Sequence, residues 1–298
     1  MLLGVDDTDS LEGGCTTHVA VQLALRLQEE LGLVLMGNPR LVRLNPSNPW
    51  KTRGNAALAL SLGLPGGPQV PVGEWRGEPL LSFPGGEDIP PTEEVLESAW
   101  AVVQDLTWHE DGRTNPGLVL VDGPAPEHLY DRALHTLMDI RLLETRLTEE
   151  GVLFRAEGSH RGLVGAAAAL AWPRQRRTWE LLAYRPRERW GTVREVDPRS
   201  VDEMDGRNPT TFDSLDRETG GLTMVPSSPC PVLLGIRGTD PEALPAALAD
   251  VRSEPYEGWA VFETNQATDD HLTVKALAEV SPFESVAVRG TVIKAPGT

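Results

Sequence analysis

The first third of the chain alternates short apolar runs with amphipathic stretches. Residues 1–5 form an apolar run typical of a buried strand, and Thr16–Leu31 repeats its apolar side chains at helical spacing before Gly32 ends the pattern. Residues 41–44 predict the next strand, and residues 92–106 predict a helix with Thr92 as its N-cap. This alternation is typical of α/β layers.

The same alternation continues to the C-terminal part of the chain. Further strands are predicted at 117–121, 152–157, 181–184, 231–236 and 259–262, and further helices at 127–147 with a break, 163–171 and 241–251. Residues 56–62 are apolar without a clear period, and residues 45–55 predict a loop. The Gly- and Pro-rich residues 64–92 predict a long loop or an irregular excursion. The predicted fold class is therefore α/β (α+β).

Three carboxylates crowd the end of the first predicted strand. Asp6, Asp7 and Asp9 lie within four residues, and the hydroxyls of Thr16 and Thr17 follow a glycine pair where a helix begins. Such carboxylates repel one another unless a cation or strong donors lie among them, and Mg²⁺ carrying nucleotide phosphates is a natural partner. Glycines ahead of a helix also let backbone N–H groups approach phosphate oxygens. The alternative is a solvated acidic turn with Thr16 as an N-cap.

A second polar segment occupies residues 43–55. It holds three cations, three amides and two hydroxyls. Lys51 and Arg53 face the same side if the backbone is extended, and an ammonium beside a planar guanidinium suits a polyphosphate. The alternative is a polar surface loop; the frame of a Walker A loop is absent.

Two later segments also concentrate polar groups. Residues 262–271 place Glu263 and several other polar groups after a strand, which suits either a polar ligand or a capped helix start. Residues 159–166 combine His160 and Arg161 with glycines. For those two side chains, ligand binding and packing remain equally open, whereas tight packing is favoured for Gly165.

Composition narrows the class of protein. The 298 residues suffice for two domains, and 40% hydrophobic content fits a globular protein. No apolar run reaches membrane-spanning length, no secretory signal is recognisable, and two distant cysteines predict neither a disulfide framework nor a zinc site. These features predict a cytoplasmic protein. The net charge of −17 argues against nucleic-acid binding by bulk electrostatics, so any RNA site needs a local arginine patch.

Taken together, these segments resemble the archaeal agmatidine synthase family, also called tRNA(Ile) 2-agmatinylcytidine synthetase. The N-terminal matches are Gly-Val-Asp-Asp-Thr-Asp-Ser at 4–10, Gly-Gly-Cys-Thr-Thr-His at 13–18, Pro-Arg-Leu-Val-Arg-Leu-Asn-Pro at 39–46 and Pro-Trp-Lys-Thr-Arg-Gly-Asn at 49–55. The later ones are Asn-Pro-Gly at 115–117, Arg-Gly-Leu-Val-Gly-Ala at 161–166, Pro-Cys-Pro-Val-Leu-Leu-Gly-Ile-Arg-Gly at 229–238 and Phe-Glu-Thr-Asn-Gln-Ala-Thr-Asp-Asp-His at 262–271. The resemblance covers nearly the whole chain.

The resemblance implies an ATP-dependent carbon–nitrogen ligase. Its family phosphorylates the 2-oxo group of the wobble cytidine of tRNA(Ile) with ATP, and agmatine then displaces the phosphate. It also implies a kinase-like domain at 1–150, a ferredoxin-like domain at 151–283 and the start of a truncated OB-fold at 284–298. The threonine after the cysteine of the first motif is autophosphorylated in the family, and it corresponds to Thr16.

The resemblance implies a role for each residue that matches a family motif. The catalytic set is Asp6, Asp7, Asp9, Thr16 and Thr17, and the three aspartates are also the expected Mg²⁺ ligands. The ATP-binding set is Arg43, Asn45, Lys51, Thr52, Arg53, Gly54 and Asn55. The substrate set is Arg161, Glu263, Asn265, Asp269, Asp270 and His271, and its acidic members suit agmatine because agmatine is a dication.

The chain departs from the family pattern at its end. Residues 286–292 look like the first strand of an OB-fold, and no zinc-ribbon cysteines follow. Three interpretations remain open: the chain is a fragment, an OB-fold or zinc-ribbon partner acts in trans, or the substrate has changed. We expect weak tRNA binding by these residues alone. The alternative function is a repurposed or non-catalytic nucleotide-binding module, or one subunit of a split tRNA-modifying enzyme.

Overall fold

The protein is a mixed α/β structure built on one large twisted sheet. The computed structural model describes residues 1–110, 112–281 and 284–291. The helices are α1 Thr16–Leu31, α2 Glu93–Leu106, α3 His128–His135, α4 Ile140–Glu149, α5 Gly162–Leu170, α6 Pro198–Arg207 and α7 Leu244–Asp250. Short 3-10 turns lie at Arg187–Arg189 and Leu277–Glu279.

The large sheet contains 13 strands within the described residues. They are β1 Leu2–Asp6, β2 Val34–Leu35, β3 Arg40–Arg43, β4 Ala56–Leu64, β5 Val70–Trp75, β6 Glu78–Ser82, β7 Glu87–Asp88, β8 Gly117–Val121, β9 Leu153–Ala156, β10 Thr178–Tyr184, β11 Thr211–Phe212, β12 Val232–Gly238 and β13 Gly258–Thr264. A separate pair joins β14 Thr273–Val274 to β15 Val286–Ala287.

Six of these strands close into a ring that joins the two halves of the chain. β13, from the C-terminal half, pairs in parallel with β3 and antiparallel with β5. The ring continues from β5 through β6, β2 and β4 and returns to β3. β1, β8 and β9 extend the sheet on one side, and β10, β12 and β11 extend it on the other. The two halves therefore share one sheet and one hydrophobic core.

The main hydrophobic core confirms this union. Leu3, Leu23 and Leu58 from the N-terminal half pack in the same buried cluster as Tyr184 and Phe262 from the C-terminal half. A second cluster packs α5 against the other face of β1, β4 and β8, and a third lies under α6 and α7. Burial of these apolar side chains is the main favourable term in folding.

Most predicted elements are present, with corrections where sequence signals were weak. The helices at 16–31 and 92–106 are confirmed, and Thr92 accepts a hydrogen bond from the Val95 amide as an N-cap. The N-cap of α1 is Cys15 rather than Thr16, which is the first helical residue. The predicted break within 127–147 separates α3 from α4.

The prediction of a long loop at 64–92 was wrong. β5 and β6 form a hairpin there, with Arg76 and Gly77 both at positive φ in a two-residue turn. Such turns fit the twist of the flanking strands, but Arg-Gly is a weaker signal than Asn-Gly. Helix α6 was not predicted at all. Of the expected OB-fold strand at 286–292, residues 286–287 form β15, and residue 292 lies outside the described residues.

A buried histidine makes the stability of the fold sensitive to acid. His18 of α1 is 7% exposed, and its ring packs against Trp75, Tyr184 and Trp190. Burial, with a smaller contribution from Arg26, lowers the pKa of His18 to about 4. In the unfolded chain His18 therefore binds a proton below about pH 6.5, whereas in the folded chain it stays neutral down to about pH 4.

We expect this histidine to destabilise the protein as the pH falls from 6.5 to 4. The loss of unfolding free energy from His18 is about 3 kcal/mol over this window. His18→Phe keeps an aromatic ring among the same neighbours and removes the titration. Chemical denaturation at pH 7 and pH 4.5 should show a smaller loss in the variant than in the wild type. Equal losses in both proteins would contradict this account.

Candidate functional site

The candidate site is a polar cleft where the ends of β1 and β3, the start of α1 and the loop 45–55 face β10 and β12. Its volume is about 310 Å³. It brings together most of the residues proposed from the sequence, which are Asp6, Asp7, Asp9, Thr16, Thr17, Arg43, Lys51, Thr52, Arg53, Gly54, Asn55 and Arg161. Segments more than a hundred residues apart thus supply one cleft with carboxylates, hydroxyls and cations.

The Asp6 carboxylate packs against Gly165 of α5, at a position where no side chain larger than that of glycine would fit. It ends β1, and its carboxylate lies against Gly165 of α5, where an added Cβ would be 1.8 Å from Oδ2. Burial, followed by the negative charge of Asp7, raises the pKa of Asp6 well above its usual range. Gly165 therefore fixes the place of this carboxylate, in addition to allowing tight packing.

Asp7 follows in a left-handed conformation with φ of 59°. Its main-chain oxygen accepts a hydrogen bond from the Asn115 amide at 3.1 Å. Burial raises the pKa of Asp7 to about 6, although Arg161 and Asn115 act in the opposite direction. Asp6 and Asp7 thus form a pair of carboxylates without full compensation, which attracts a cation.

Asp9, in contrast, is already paired. Its carboxylate accepts a hydrogen bond from Arg53, which also donates to the Gly14 carbonyl at 2.9 Å and to the Ser228 hydroxyl at 2.8 Å. The other carboxylate oxygen of Asp9 lies 3.4 Å from the Thr16 hydroxyl. Arg53 therefore joins the acidic motif to the C-terminal half, and Asp9 sets the position of Thr16.

A second cationic group surrounds a buried glutamate. Glu180 of β10 is 3% exposed, and its carboxylate lies 3.1 Å from Nη2 of Arg43 and 3.5 Å from Nε of Arg237. Nε of Arg43 is buried without a hydrogen-bond partner among the described residues. Two guanidinium groups on one carboxylate leave net positive charge facing the cleft, which suits an anionic ligand.

The loop 45–55 is shaped by its own hydrogen bonds. The Asn45 side chain accepts from the Ser47 amide at 2.8 Å, and the Asn55 side chain donates to the Asn45 carbonyl at 2.6 Å. Asn45 is absent from the cleft lining. Lys51 donates to the Pro46 carbonyl, and both Lys51 and Asn55 line the cleft. Asn45 thus builds the loop, while its neighbours face the cavity.

A smaller cavity of about 240 Å³ adjoins the cleft. Arg43, Gly54 and Arg237 line both cavities, and the smaller one adds the substrate candidates Asn265, Asp270 and His271. The remaining candidates lie elsewhere. Glu263 is buried between arginines, and Asp269 is exposed outside both cavities.

The carboxylates fit a magnesium ion that is shared with phosphates. No group of three or more His, Cys, Asp or Glu side chains among residues 1–110, 112–281 and 284–291 is arranged to hold a metal alone. Mg²⁺ is commonly held by one or two carboxylates together with substrate phosphates and water. The partly compensated pair Asp6 and Asp7 meets that requirement, whereas Asp9 is occupied by Arg53.

Several cleft residues were not assigned from the sequence. Glu180 interrupts an apolar strand, and a lone charge on a buried face is the signal that could have found it. Arg237 and Cys230 also line the cleft, and they lie within the segment 229–238, whose apolar character predicts a strand. Within the described chain, no helix is both long and apolar enough to cross a bilayer.

Family models match both halves of the chain. The TiaS TCKD domain matches residues 2–157, and the TiaS FLD domain matches residues 160–271. The chain is 38% identical over 304 residues to TiaS, the tRNA(Ile) 2-agmatinylcytidine synthetase of Methanopyrus kandleri, and the match covers 99% of this chain and 64% of that relative. The chain thus spans less than two thirds of the length of this relative.

Solved structures show the same similarity. A crystal structure of TiaS in complex with tRNA(Ile) and ATP superposes with a TM-score of 0.81 at 34% identity, covering 96% of this chain and 63% of that chain. A complex of TiaS with tRNA(Ile), AMPCPP and agmatine superposes with a TM-score of 0.79 at 33% identity, covering 96% of this chain and 64% of that one.

Proposed function

Because the chain belongs to the TiaS family of tRNA(Ile) 2-agmatinylcytidine synthetases, we propose that it is an ATP-dependent ligase that attaches agmatine to a tRNA cytidine. The observation that carries the proposal is the cleft itself. One cavity joins the carboxylate pair Asp6 and Asp7, the hydroxyls of Thr16 and Thr17, and a set of cations. Phosphoryl transfer requires little else from a protein beyond positioning and charge.

In the proposed first step, a phosphoryl group passes from ATP to the 2-oxo group of the cytidine: a new oxygen–phosphorus bond forms, the bond from that phosphorus to the rest of the nucleotide breaks, and the remaining nucleotide leaves. An amide-like oxygen leaves poorly until it is phosphorylated, so this step prepares the ring carbon for attack. Lys51, Arg53 and Arg43 line the cavity and would hold phosphate oxygens. Agmatine then attacks through its primary amine, a carbon–nitrogen bond forms, and the carbon–oxygen bond breaks to release phosphate.

Mg²⁺ would be held by Asp6 and Asp7 in this proposal. The ion would neutralise phosphate charge and align the phosphoryl group. Asp9 instead acts through its contacts with Arg53 and Thr16. The carboxylates in the cleft therefore divide into a cation-binding pair and a positioning residue.

The smaller cavity is the proposed binding site for the substrates other than ATP. Asp270 contributes a carboxylate to its wall, although Arg176 and Tyr130 already bind that group. The side-chain amide of Asn265 pairs with both main-chain polar groups of Arg43, at 2.7 and 2.9 Å. Asn265 therefore fixes the wall shared by the two cavities, and Asp270 is the better acidic candidate for agmatine than Glu263.

The proposed domain description follows the family. We infer a kinase-like domain at 1–150 and a ferredoxin-like domain at 151–283, followed by the start of an OB-fold. The family-model boundary between residues 157 and 160 supports a division near this point. A cytoplasmic location is part of the proposal, because the substrates are a tRNA and ATP.

Nucleotide binding provides the first test. Calorimetry with ATP and Mg²⁺ should show binding that chelation removes and that Asp7→Ala weakens by about tenfold or more, because the substitution removes half of the carboxylate pair. Asp202→Ala removes an exposed carboxylate on α6 and is the matched control. Unchanged binding in Asp7→Ala would show that ATP does not use this cation site.

Agmatine transfer separates the ligase from a non-catalytic nucleotide-binding module. Labelled agmatine, ATP and a tRNA(Ile) transcript are incubated with the 298-residue chain at low salt. Label that enters the tRNA only when ATP is present is the expected result. Firm ATP binding without transfer at saturating tRNA would favour the module.

A further inference from the structure

Four arginines form a second concentration of positive charge outside the cleft. Arg174, Arg176 and Arg177 lie in the connection from α5 to β10, and Arg40 is the β3 residue paired with Glu263 of β13. Three of the four thus lie within four residues of one another. We call Arg40, Arg174, Arg176 and Arg177 the arginine patch.

The arginine patch carries more positive charge than its contact with Glu263 neutralises. The Glu263 carboxylate is 2% exposed and accepts hydrogen bonds from Arg174 at 3.0 Å and from Arg177 at 3.1 Å, and a second contact from Arg174 measures 2.7 Å. The two-point contact from Arg174 is sufficient to neutralise that carboxylate. Arg177 and Arg40 therefore carry positive charge that Glu263 does not neutralise.

Three of the four arginines of the patch face outward. The side chains of Arg174, Arg176 and Arg177 are 40%, 64% and 49% exposed. Arg176 pairs with Asp270 at 2.9 Å, so four guanidinium groups meet two carboxylates and a net charge of +2 remains. On a chain whose net charge is −17, this local excess is opposite in sign to the whole.

Arg40 is the partly buried member of the patch, and its positive charge is destabilised first by burial and then by Arg174. Burial and the nearby positive charge of Arg174 lower the pKa of Arg40 to about 10, although Glu263 acts against this. An arginine side chain normally keeps its proton far above this pH. A bound anion would relieve the repulsion between Arg40 and Arg174.

A continuous set of hydrogen bonds connects the patch to the cleft. Asp270, which pairs with Arg176, accepts from the Tyr130 hydroxyl at 2.9 Å, and Tyr130 accepts from Asn265 at 2.7 Å. Asn265 in turn holds the main chain of Arg43, which lines the cleft. The patch therefore borders the smaller cavity through Asp270, next to the cleft.

We propose that the arginine patch binds backbone phosphates of the RNA whose cytidine enters the cleft, so that it is the electrostatic docking surface of an otherwise acidic chain. The identity of the RNA rests on the proposed function. Planar guanidinium groups match phosphate oxygens in pairs, and backbone contacts of this kind set position rather than sequence preference. A free phosphate or an acidic peptide would not need a surface connected to the cleft.

Salt-dependent binding of a labelled tRNA(Ile) transcript tests the patch. The test variant is Arg176→Gln with Arg177→Gln, which leaves Arg174 on Glu263. At about 0.05 M salt its affinity should fall by about tenfold, and the slope of log K against log salt should decrease by about 1.5, since each phosphate contact contributes about 0.7 to 0.9. Melting temperature and ATP binding should remain at wild-type values.

The matched control is Arg207→Gln with Arg252→Gln. These arginines are 61% and 59% exposed and also pair with carboxylates, and they lie on α6 and after α7. The control changes the net charge equally, so it should retain the wild-type slope. Arg176→Lys with Arg177→Lys should recover most of the slope, because it restores the charge.

Three outcomes would overturn the inference. They are equal loss of affinity in the test and control variants, an unchanged slope in the test variant, and no RNA binding by the wild type at about 0.05 M salt. A failure of agmatine transfer would count against the proposed function but not against the patch, because RNA binding is measured without ATP or agmatine.

Discussion

Gly165→Ala is expected to reduce agmatine transfer by about a hundredfold or more while leaving the protein folded. The new methyl group would lie 1.8 Å from Oδ2 and 2.6 Å from Cγ of Asp6, well inside contact distance. Because Asp6 is buried and α5 packs on β1, β4 and β8, the carboxylate must leave its place. Displacing a catalytic group by about 1 Å can cost about a hundredfold in rate.

The measurement compares steady-state transfer with thermal stability. In an exposed helix interior, alanine stabilises by about 1 kcal/mol relative to glycine, which offsets part of the crowding at residue 165. Gly206→Ala in α6 is the control, because an added Cβ there meets nothing within 4 Å. It should retain full activity. Wild-type turnover in Gly165→Ala would mean that the position of Asp6 does not matter for the reaction.

Local patterns predicted the elements that a short window can define. Helix α1 repeats its apolar residues at helical spacing, and Thr92 caps α2 with the expected contact to the Val95 amide. Local patterns did not predict the hairpin of β5 and β6, because Pro71 and the Arg76-Gly77 turn are also typical of a loop. Helix α6 has Asp197 as its N-cap and Pro198 as its first residue, which is a helix start signal that the sequence does contain.

The closed ring of strands could not be predicted in this way. β13 inserts between β3 and β5, and such a pairing depends on contacts between residues about two hundred positions apart in the sequence.

The candidate site also contains residues that local patterns predict and residues that they do not. The acidic motif and the loop 45–55 were recognisable because each is contiguous in the sequence. Glu180 and Arg237 enter the cleft only because the ring brings the C-terminal half against Arg43.

Phosphorylation of Thr16 is the other large effect expected. The wild type incubated with ATP and Mg²⁺ should gain close to one phosphate per chain, and Thr16→Val should gain none. Thr16 is the first residue of α1 and lines the cleft with Asp6 and Asp7. The free N–H groups and positive dipole end of a helix N-terminus favour a phosphate at this position.

The contacts of Thr16 explain how the transfer would proceed. Its hydroxyl accepts from Thr8 at 3.1 Å and can donate to Asp9 at 3.4 Å, so these two contacts hold Oγ1 in place as it attacks phosphorus, and the hydroxyl proton passes to a phosphate oxygen. The new bond joins Oγ1 to phosphorus, and the bond from phosphorus to the nucleotide breaks. Arg53 neutralises Asp9 before the reaction, so the added phosphate does not meet a bare carboxylate.

Intact-mass analysis decides between Thr16 and its neighbours. Thr16→Ser keeps a hydroxyl and should still be phosphorylated, whereas Thr17→Val tests the adjacent hydroxyl, which contacts the Cys15 thiol at 3.0 Å. Retention of the phosphate in Thr16→Val, or its loss in Thr17→Val alone, would assign the acceptor elsewhere. If Thr16→Val loses the phosphate and also stops agmatine transfer, the modification belongs to the working cycle, because valine preserves the shape of the side chain and removes only the acceptor oxygen.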